Sequence, residues 1–427
     1  MDPQDVEGLE EETVTLWSQA EDALIGAMAS AALAVALRSR TPEDVRRVAA
    51  TEMVRTVQPQ AVAVSNGLQR RTPAMVDAAT TTAAELGAQA ARAEVPASRA
   101  PSHAPTVPGG PRHRSPDPAS GAPTPTPRHR APLPSPRTPA QPADAPSRMR
   151  LPHTTPQVPG GAAAREAGKR AADATKTALD KAARNIPRNT TTAWGRIIDD
   201  AVNRTVAGDL TIQQAMQQAM DDAAKAGIGF YRDAAGRKWG LDTYAEMAIR
   251  TGTNNALIDA HTAELVDIGI DLVIVSSHAN PAPVCAPYER KVLSLTGEHP
   301  AGKHTVDGHT VTVKDTLNGA RAQGFEHPNC RHSVTAFLPG FTEGTPPAVD
   351  PDHVGYKATQ KQRYYEREIR KSRRMGQAAI DEDGRKNAEA RRRQYEAKLR
   401  EHIRDHDLPR RRHREKLRQP GNPMPVA

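Results

Sequence analysis

DLVIVSSHANPAPVCAPYERKVLSL (Asp271–Leu295) is the stretch on which the fold turns. Every periodic segment before it reads as helix. Here a compact apolar, β-branched run (DLVIVSS) and an alternating one (KVLSL) read as strands, separated by a polar loop carrying His278 and Cys285. The chain's second cysteine lies in FEHPNCRH (Phe325–His332), again beside histidines. Between the two, HTVDGHTVTV places Asp307-Gly308 between two β-like arms, a strong hairpin signal. KDTLNGARAQG reads as a short helix with a glycine stop, and HSVTAFLPG as a closing strand. The expectation is a small α+β unit over 270–345.

Working outward, the flanks are helical. On the N-terminal side, LDTYAEMAIRTGTNNALIDAHTAELVDIG has Tyr244, Met247, Ala248 and Thr251 at helical spacing, with Thr243 and Glu246 placed as a capping box. Thr211 to Gln214 forms another such box. AAAREAGKRAADATKTALDKAARNI reads as helix continuing past Trp194 and Ile197, so 162–269 is a helical region. Residues 1–94 are Ala-rich. Thr41-Pro42-Glu43-Asp44 and Thr72-Pro73 both resemble helix starts, which predicts three helices broken at those points.

Between the helical regions, 95–161 carries 19 of the 37 prolines. Each removes a backbone donor and disfavours helix at the residue before it, so this stretch is expected to be a disordered, extended linker. The C-terminal 346–427 reads as long charged helices. Tyr395, Leu399 and Ile403 form a thin apolar stripe, and Glu366–Arg370 and Glu396–Arg400 have the spacing of ion pairs. From Lys357 to Arg418 there are 22 Lys/Arg against 11 Asp/Glu, an excess of +11 in a chain whose net charge is +8. The basicity therefore belongs to this tail.

Composition sets further bounds. With 4 Phe, 3 Trp and 7 Tyr against 37 Pro, the 427-residue chain is short of large apolar side chains, which argues against one large core. Two cysteines are no disulfide framework. The N-terminus, MDPQDVEGLEEE, lacks the basic start of a signal peptide. The apolar run Ala23–Leu37 is shorter than the roughly 20 residues a membrane span needs. The expectation is a cytoplasmic, mainly α protein without a membrane partner.

His278, Cys285, His327, Cys330 and His332 are the candidate metal ligands, with structural zinc as the candidate cofactor, since zinc takes thiolates and imidazoles. The spacing matches no standard finger. The plainer reading is two buried thiols and hydrogen-bonded loop histidines. Catalytic readings use the same residues: a Cys330 thiol activated by His327 or His332, or a metal-dependent hydrolase or nuclease using His278, His327 and His332. In the tail, Arg391-Arg392-Arg393 and Arg410-Arg411-Arg412 are candidates for phosphate contact without sequence reading.

Four blocks in order, LDTYAEMAIRTGTNNA, VIVSSHANPAPVCAPYERKVLSL, HPNCRHSVTAFLPG and QRYYEREIRKSRR, resemble the phage minor capsid protein family, itself similar to Mu-type head morphogenesis proteins. The resemblance covers about 195 to 375. It implies a structural, non-enzymatic protein of the virion head, assembled in the host cytoplasm near the portal, with portal, capsid and scaffold proteins as partners. The family's characteristic positions fall on Arg250, Thr251, Ser276, Ser277, His278, Cys285, Arg290, Gly324, Asn329, Cys330, Arg331 and His332.

Overall fold

In the computed structural model the chain is described over residues 8–95, 161–208, 210–225, 231–233, 236–278, 280–342 and 352–417. The stretch expected to be a disordered linker lies outside the described residues, apart from its ends Val95 and Gly161.

The first helix, α1 (Glu11–Arg38), buries Val14, Trp17, Leu24, Ile25, Met28 and Val35 along one side. By length and composition α1 could cross a membrane; in the fold these side chains belong to the main core. Thr41 then caps α2 (Pro42–Glu52) in a full capping box with Asp44, as its sequence indicates.

The expected break at Thr72-Pro73 does not occur. A π-helical turn (Met53–Val57) carries the chain directly into α3 (Gln58–Glu94), which runs through Pro73. The Thr72 hydroxyl caps nothing: it accepts the indole N–H of Trp17 at 3.1 Å. Tertiary packing has overridden the local start signal. Near the π turn the Ala49 carbonyl accepts Trp194 Nε1–H at 3.2 Å in addition to the Met53 backbone N–H.

The following helices are α4 (Ala162–Val206), α5 (Ile212–Lys225) and α6 (Leu241–Asp267), with a two-residue ribbon, β1 (Tyr231–Arg232) and β2 (Lys238–Trp239), before α6. The Thr211–Gln214 box forms: Gln214 N–H donates to Thr211 Oγ1 at 3.2 Å, and Thr211 N–H to Gln214 Oε1 at 3.0 Å. The box expected from Thr243 to Glu246 does not. The N-cap of α6 is Gly240, Thr243 donates its N–H and hydroxyl to Asp242 Oδ1, and Glu246 pairs with Arg250 at 2.9 Å.

Composition argued against one large core, yet helices α1 to α6 share a single continuous one. Small residues make it possible. Along a second, alanine-lined seam Ala83, Ala84 and Ala88 of α3 face Ala164, Ala167 and Ala171 of α4 and Ala256, Leu257 and Ala260 of α6. Helix axes come close enough there that a Cβ on Gly87 would stand 2.1 Å from the Leu257 carbonyl oxygen. Backbone proximity replaces aromatic bulk.

On this helical body sits a five-stranded mixed sheet: β3 (Leu272–Val275), β4 (Val292–Ser294), β5 (Gly302–Val306), β6 (His309–Thr316) and β7 (Val334–Ala336), in the order β5-β6-β4-β3-β7. All neighbours are antiparallel except β4 with β6. Asp307 and Gly308 both take positive φ, 51° and 78°, as the two-residue hairpin turn requires. One face, with Val273, Val275, Leu293, Val334 and Ala336, packs with Ile258 and Leu265 of α6 and Ala91 of α3. The other carries a smaller cluster of Leu272, Val292, Val311 and Val313. The short helix α7 (Leu317–Ala322) follows β6, and Gly324 ends that segment at φ 105°. Mainly α with a small α+β unit is therefore the architecture.

The last two helices, α8 (Val354–Ala378) and α9 (Glu382–Asp405), form a hairpin. Leu399 is fully buried in their seam, while Tyr395 stacks at an angle near Tyr364 and Tyr365. The expected Glu396–Arg400 pair is replaced: Glu396 takes Arg392 at 2.5 Å, one turn earlier, and Arg373 of α8 at 3.6 Å. A buried ion cluster fixes α8 to the body. Arg374 reaches Asp242 of α6 at 2.6 Å and Glu21 of α1 at 3.2 Å.

Candidate functional site

The β3–β4 loop and the 325–333 segment meet at the end of β3. Ser276 N–H donates to the Ser333 carbonyl at 2.9 Å, and Ser333 N–H returns to Ser276 Oγ at 3.0 Å. This reciprocal pair sets the two Cys/His segments against each other. Cys285 ends a turn in which its N–H donates to the Ala282 carbonyl, just before a 3₁₀ turn at Ala286–Tyr288. His327-Pro328-Asn329-Cys330 is a second tight turn, closed by Cys330 N–H to the His327 carbonyl at 2.8 Å. It needs left-handed backbone at Asn329 (φ 63°), a conformation asparagine tolerates well.

The result is a convergence of the expected residues. Cys285 and Cys330 are both buried and unbonded, with their sulfurs 3.7 Å apart, well beyond the length of a disulfide. A ring nitrogen of His327 joins them: the three ligand atoms lie within 4.8 Å of one another. His332 touches the group through Nδ1, 3.3 Å from Cys330 Sγ. His278 faces His332 edge-on at 4.6 Å between ring centroids, but its Nε2 is engaged with the Arg331 carbonyl at 2.5 Å. His278, His327 and His332 are thus not gathered round one point; His327 sides with the sulfurs.

Sequence reasoning missed Glu289. Its Oε1 accepts His278 N–H at 2.7 Å and lies 3.0 Å from His332 Nε2, and the residue is 3% exposed. Nothing in YERK distinguishes this glutamate from a solvated one; only the loop's path buries it. Burial opposes protonation of His332, but Cys330 and Glu289 outweigh it and raise its pKa. Burial lowers that of His278, with His332 adding to the effect.

Cys330, His332 and Glu289 stand in the order of a nucleophile, base and orienting acid. The thiol's surroundings are wrong for that chemistry. Cys330 is 6% exposed, and the neighbouring Cys285 and burial push its pKa well up, whereas a reactive thiol is one whose pKa is depressed.

A belt of framework contacts surrounds the cluster. Asn329 N–H points at Thr251 Oγ1 of α6 at 3.4 Å. Arg321 of α7, buried, binds Glu326 at 2.6 Å and Asp259 of α6 at 2.7 Å. The α3 C-terminus joins in, with Glu94 Oε2 accepting Ala336 N–H of β7 at 2.8 Å and lying 3.0 Å from His261 Nε2. A second acidic-histidine group, Asp271, Glu298 and His299, is a loop staple. Asp271 is already occupied by Ser294, Thr296 and His299.

In the tail, most candidate phosphate contacts are committed to carboxylates. Arg391 holds Glu368, Arg392 holds Glu389 and Glu396, Arg393 holds Glu389 and Arg410 holds Glu415. Arg411 and Arg412 make no ion pair among the described residues.

The sequence pattern of the family described as phage minor capsid protein 2 matches residues 160–404, from the start of α4 to the end of α9. A structural protein of Lactococcus phage LL-H is 30% identical over 224 residues, which is 50% of this chain and 59% of that protein. The chain thus matches rather more than half the length of this curated relative. No solved structure matches it.

Proposed function

Because the chain belongs to the phage minor capsid protein 2 family, we propose that it acts as a non-enzymatic minor head component, assembling beside the portal with capsid and scaffold proteins. A structural phage protein is the common ground of the family and the Lactococcus phage relative. The observation that supports a non-catalytic role within that class is the burial of both thiols and of the His332–Glu289 pair. Groups so enclosed hold segments together; they do not meet a substrate. The α8–α9 hairpin, fixed at one end by Arg374 and lying in the segment with the +11 excess of basic residues, supports a docking role at the head.

Purified virions, separated into heads and tails and probed for this protein, test the reading. Presence in head fractions at low copy, with co-purification of the portal, is the expected result. Absence from virions and from assembly intermediates overturns it. So does hydrolase or nuclease activity lost in His332→Ala while the chain stays folded.

A further inference from the structure

We propose that Cys285, His327, Cys330 and His332 form a closed four-ligand zinc site that clamps the β3–β4 loop to the 325–333 segment. Two thiolates about 2.3 Å from a tetrahedral zinc stand about 3.8 Å apart; the Cys285 and Cys330 sulfurs are 3.7 Å apart. Sulfur and nitrogen ligands of such an ion stand about 3.6 Å apart; Cys330 Sγ and His332 Nδ1 are at 3.3 Å. His327 brings a ring nitrogen within 4.8 Å of both sulfurs.

The outer partners of both histidines are those of metal ligands. A ligating imidazole usually donates its other N–H to a carboxylate or a backbone carbonyl, which fixes the tautomer. His332 Nε2 has Glu289 at 3.0 Å, so its Nδ1 is the nitrogen with a lone pair, on the side of the sulfurs. His327 Nδ1 has the Pro328 carbonyl at 2.9 Å, so Nε2 is the nitrogen left for an ion. His278 is left out on distance: it packs edge-on against the outer side of the His332 ring and lies outside the group of close ligand atoms. His332 stands beside Cys330 but outside the group of three mutually close ligand atoms, so its ring must turn toward the ion to complete the set. With four protein ligands in place the ion has no position for water or substrate, which makes it structural rather than catalytic.

The fold has a use for such a clamp. Strands β3, β4 and β7 are three or four residues long. They cannot by themselves fix the loop of 276–291, and a zinc ion bound to the folded state contributes its binding energy to folding.

The untagged full chain, purified reduced and without chelator, is assayed for metal by mass spectrometry, and the stripped chain is titrated with Co²⁺. The expected result is one zinc per chain and the thiolate-to-cobalt charge-transfer band of a tetrahedral sulfur–nitrogen site. Cys285→Ser and Cys330→Ser abolish the band, and His327→Ala and His332→Ala weaken binding at least tenfold, a loss of the size that disturbing a metal's protein shell brings. His278→Ala keeps full stoichiometry. Where a variant fails to fold, the wild type decides: a thiol reagent reaches the two cysteines only as chelator withdraws the metal. The proposal falls if the wild type holds no stoichiometric zinc and gives no charge-transfer band, or if Cys330→Ser or His332→Ala binds as the wild type does.

Discussion

Gly87→Ala and Gly67→Ala, two identical changes on the same helix α3, are expected to shift stability in opposite directions. In a helix interior alanine is favoured over glycine by about 1 kcal/mol, because glycine loses more backbone freedom on folding. At Gly67 a new Cβ meets nothing within 4 Å. That variant should gain roughly 0.5–1 kcal/mol. At Gly87 the same methyl would stand 2.1 Å from the Leu257 carbonyl oxygen and 3.1 Å from the His261 nitrogen, both backbone atoms of α6. No side chain can rotate away, so the helices must separate by about 1 Å, which forfeits a quarter to a half of each dispersion contact along the seam. Ala83, Ala84, Ala88, Leu257 and Ala260 all lie on it. Overpacking of this kind typically costs about 1–3 kcal/mol, which exceeds the propensity gain over most of that range. Urea unfolding followed by helix circular dichroism reads the difference, with the midpoint rising for Gly67→Ala and falling for Gly87→Ala. If Gly87→Ala is as stable as the wild type, close backbone approach is not what holds this aromatic-poor core.

Two further outcomes follow from the ion pairs. Burial raises Glu21 from 4.5 to about 8, against the pull of Arg374. Between those pH values the folded chain keeps a proton the unfolded chain has lost, so stability falls as pH rises through that window; Glu21→Gln should flatten this limb in thermal melts from pH 5 to 9, and an unchanged slope would show that Glu21 ionises freely. For the tail, each phosphate neutralised contributes about 0.9 to the salt slope of DNA binding; Arg411→Ala/Arg412→Ala should lower the slope by up to about 1.8, and the paired Arg391, Arg392 and Arg393 less per residue. A slope untouched by both sets removes DNA as a partner of this tail.

The small sheet was the most legible part of the fold. Asp307-Gly308 fixed a hairpin because few residues accept two consecutive positive φ values, and the β-branched run at 272–275 had no helical alternative. Helix boundaries were less so. Thr72-Pro73 and Thr243–Glu246 carry start signals as good as that of Thr41, but Thr72 is claimed by Trp17 and Glu246 by Arg250, partners distant in sequence or better placed. Local capping is worth about 1 kcal/mol, and a buried tertiary contact can outbid it. The cysteines and histidines declared themselves by residue type, while Glu289 did not, since a carboxylate's burial is decided by the loop around it.

The positions that carry the family resemblance are mostly framework. Arg290, Gly324 and Asn329 hold left-handed backbone at turns, with φ of 56°, 105° and 63°. Ser276 closes the reciprocal pair with Ser333, and Thr251 meets Asn329 across the interface between α6 and the clasp. Arg250 reaches back to Glu10, just before α1, at 2.9 Å. Each of these contacts joins elements far apart in sequence, so together they fix how the sheet sits on the helices. In the head role proposed above, the residues free to meet a partner are those the framework leaves facing outward. Such positions include Phe341, 75% exposed just after the closing strand, and Val354 at the start of α8, 55% exposed. Substituting the framework should then unfold the unit, whereas substituting these outward positions should spare folding and touch assembly alone.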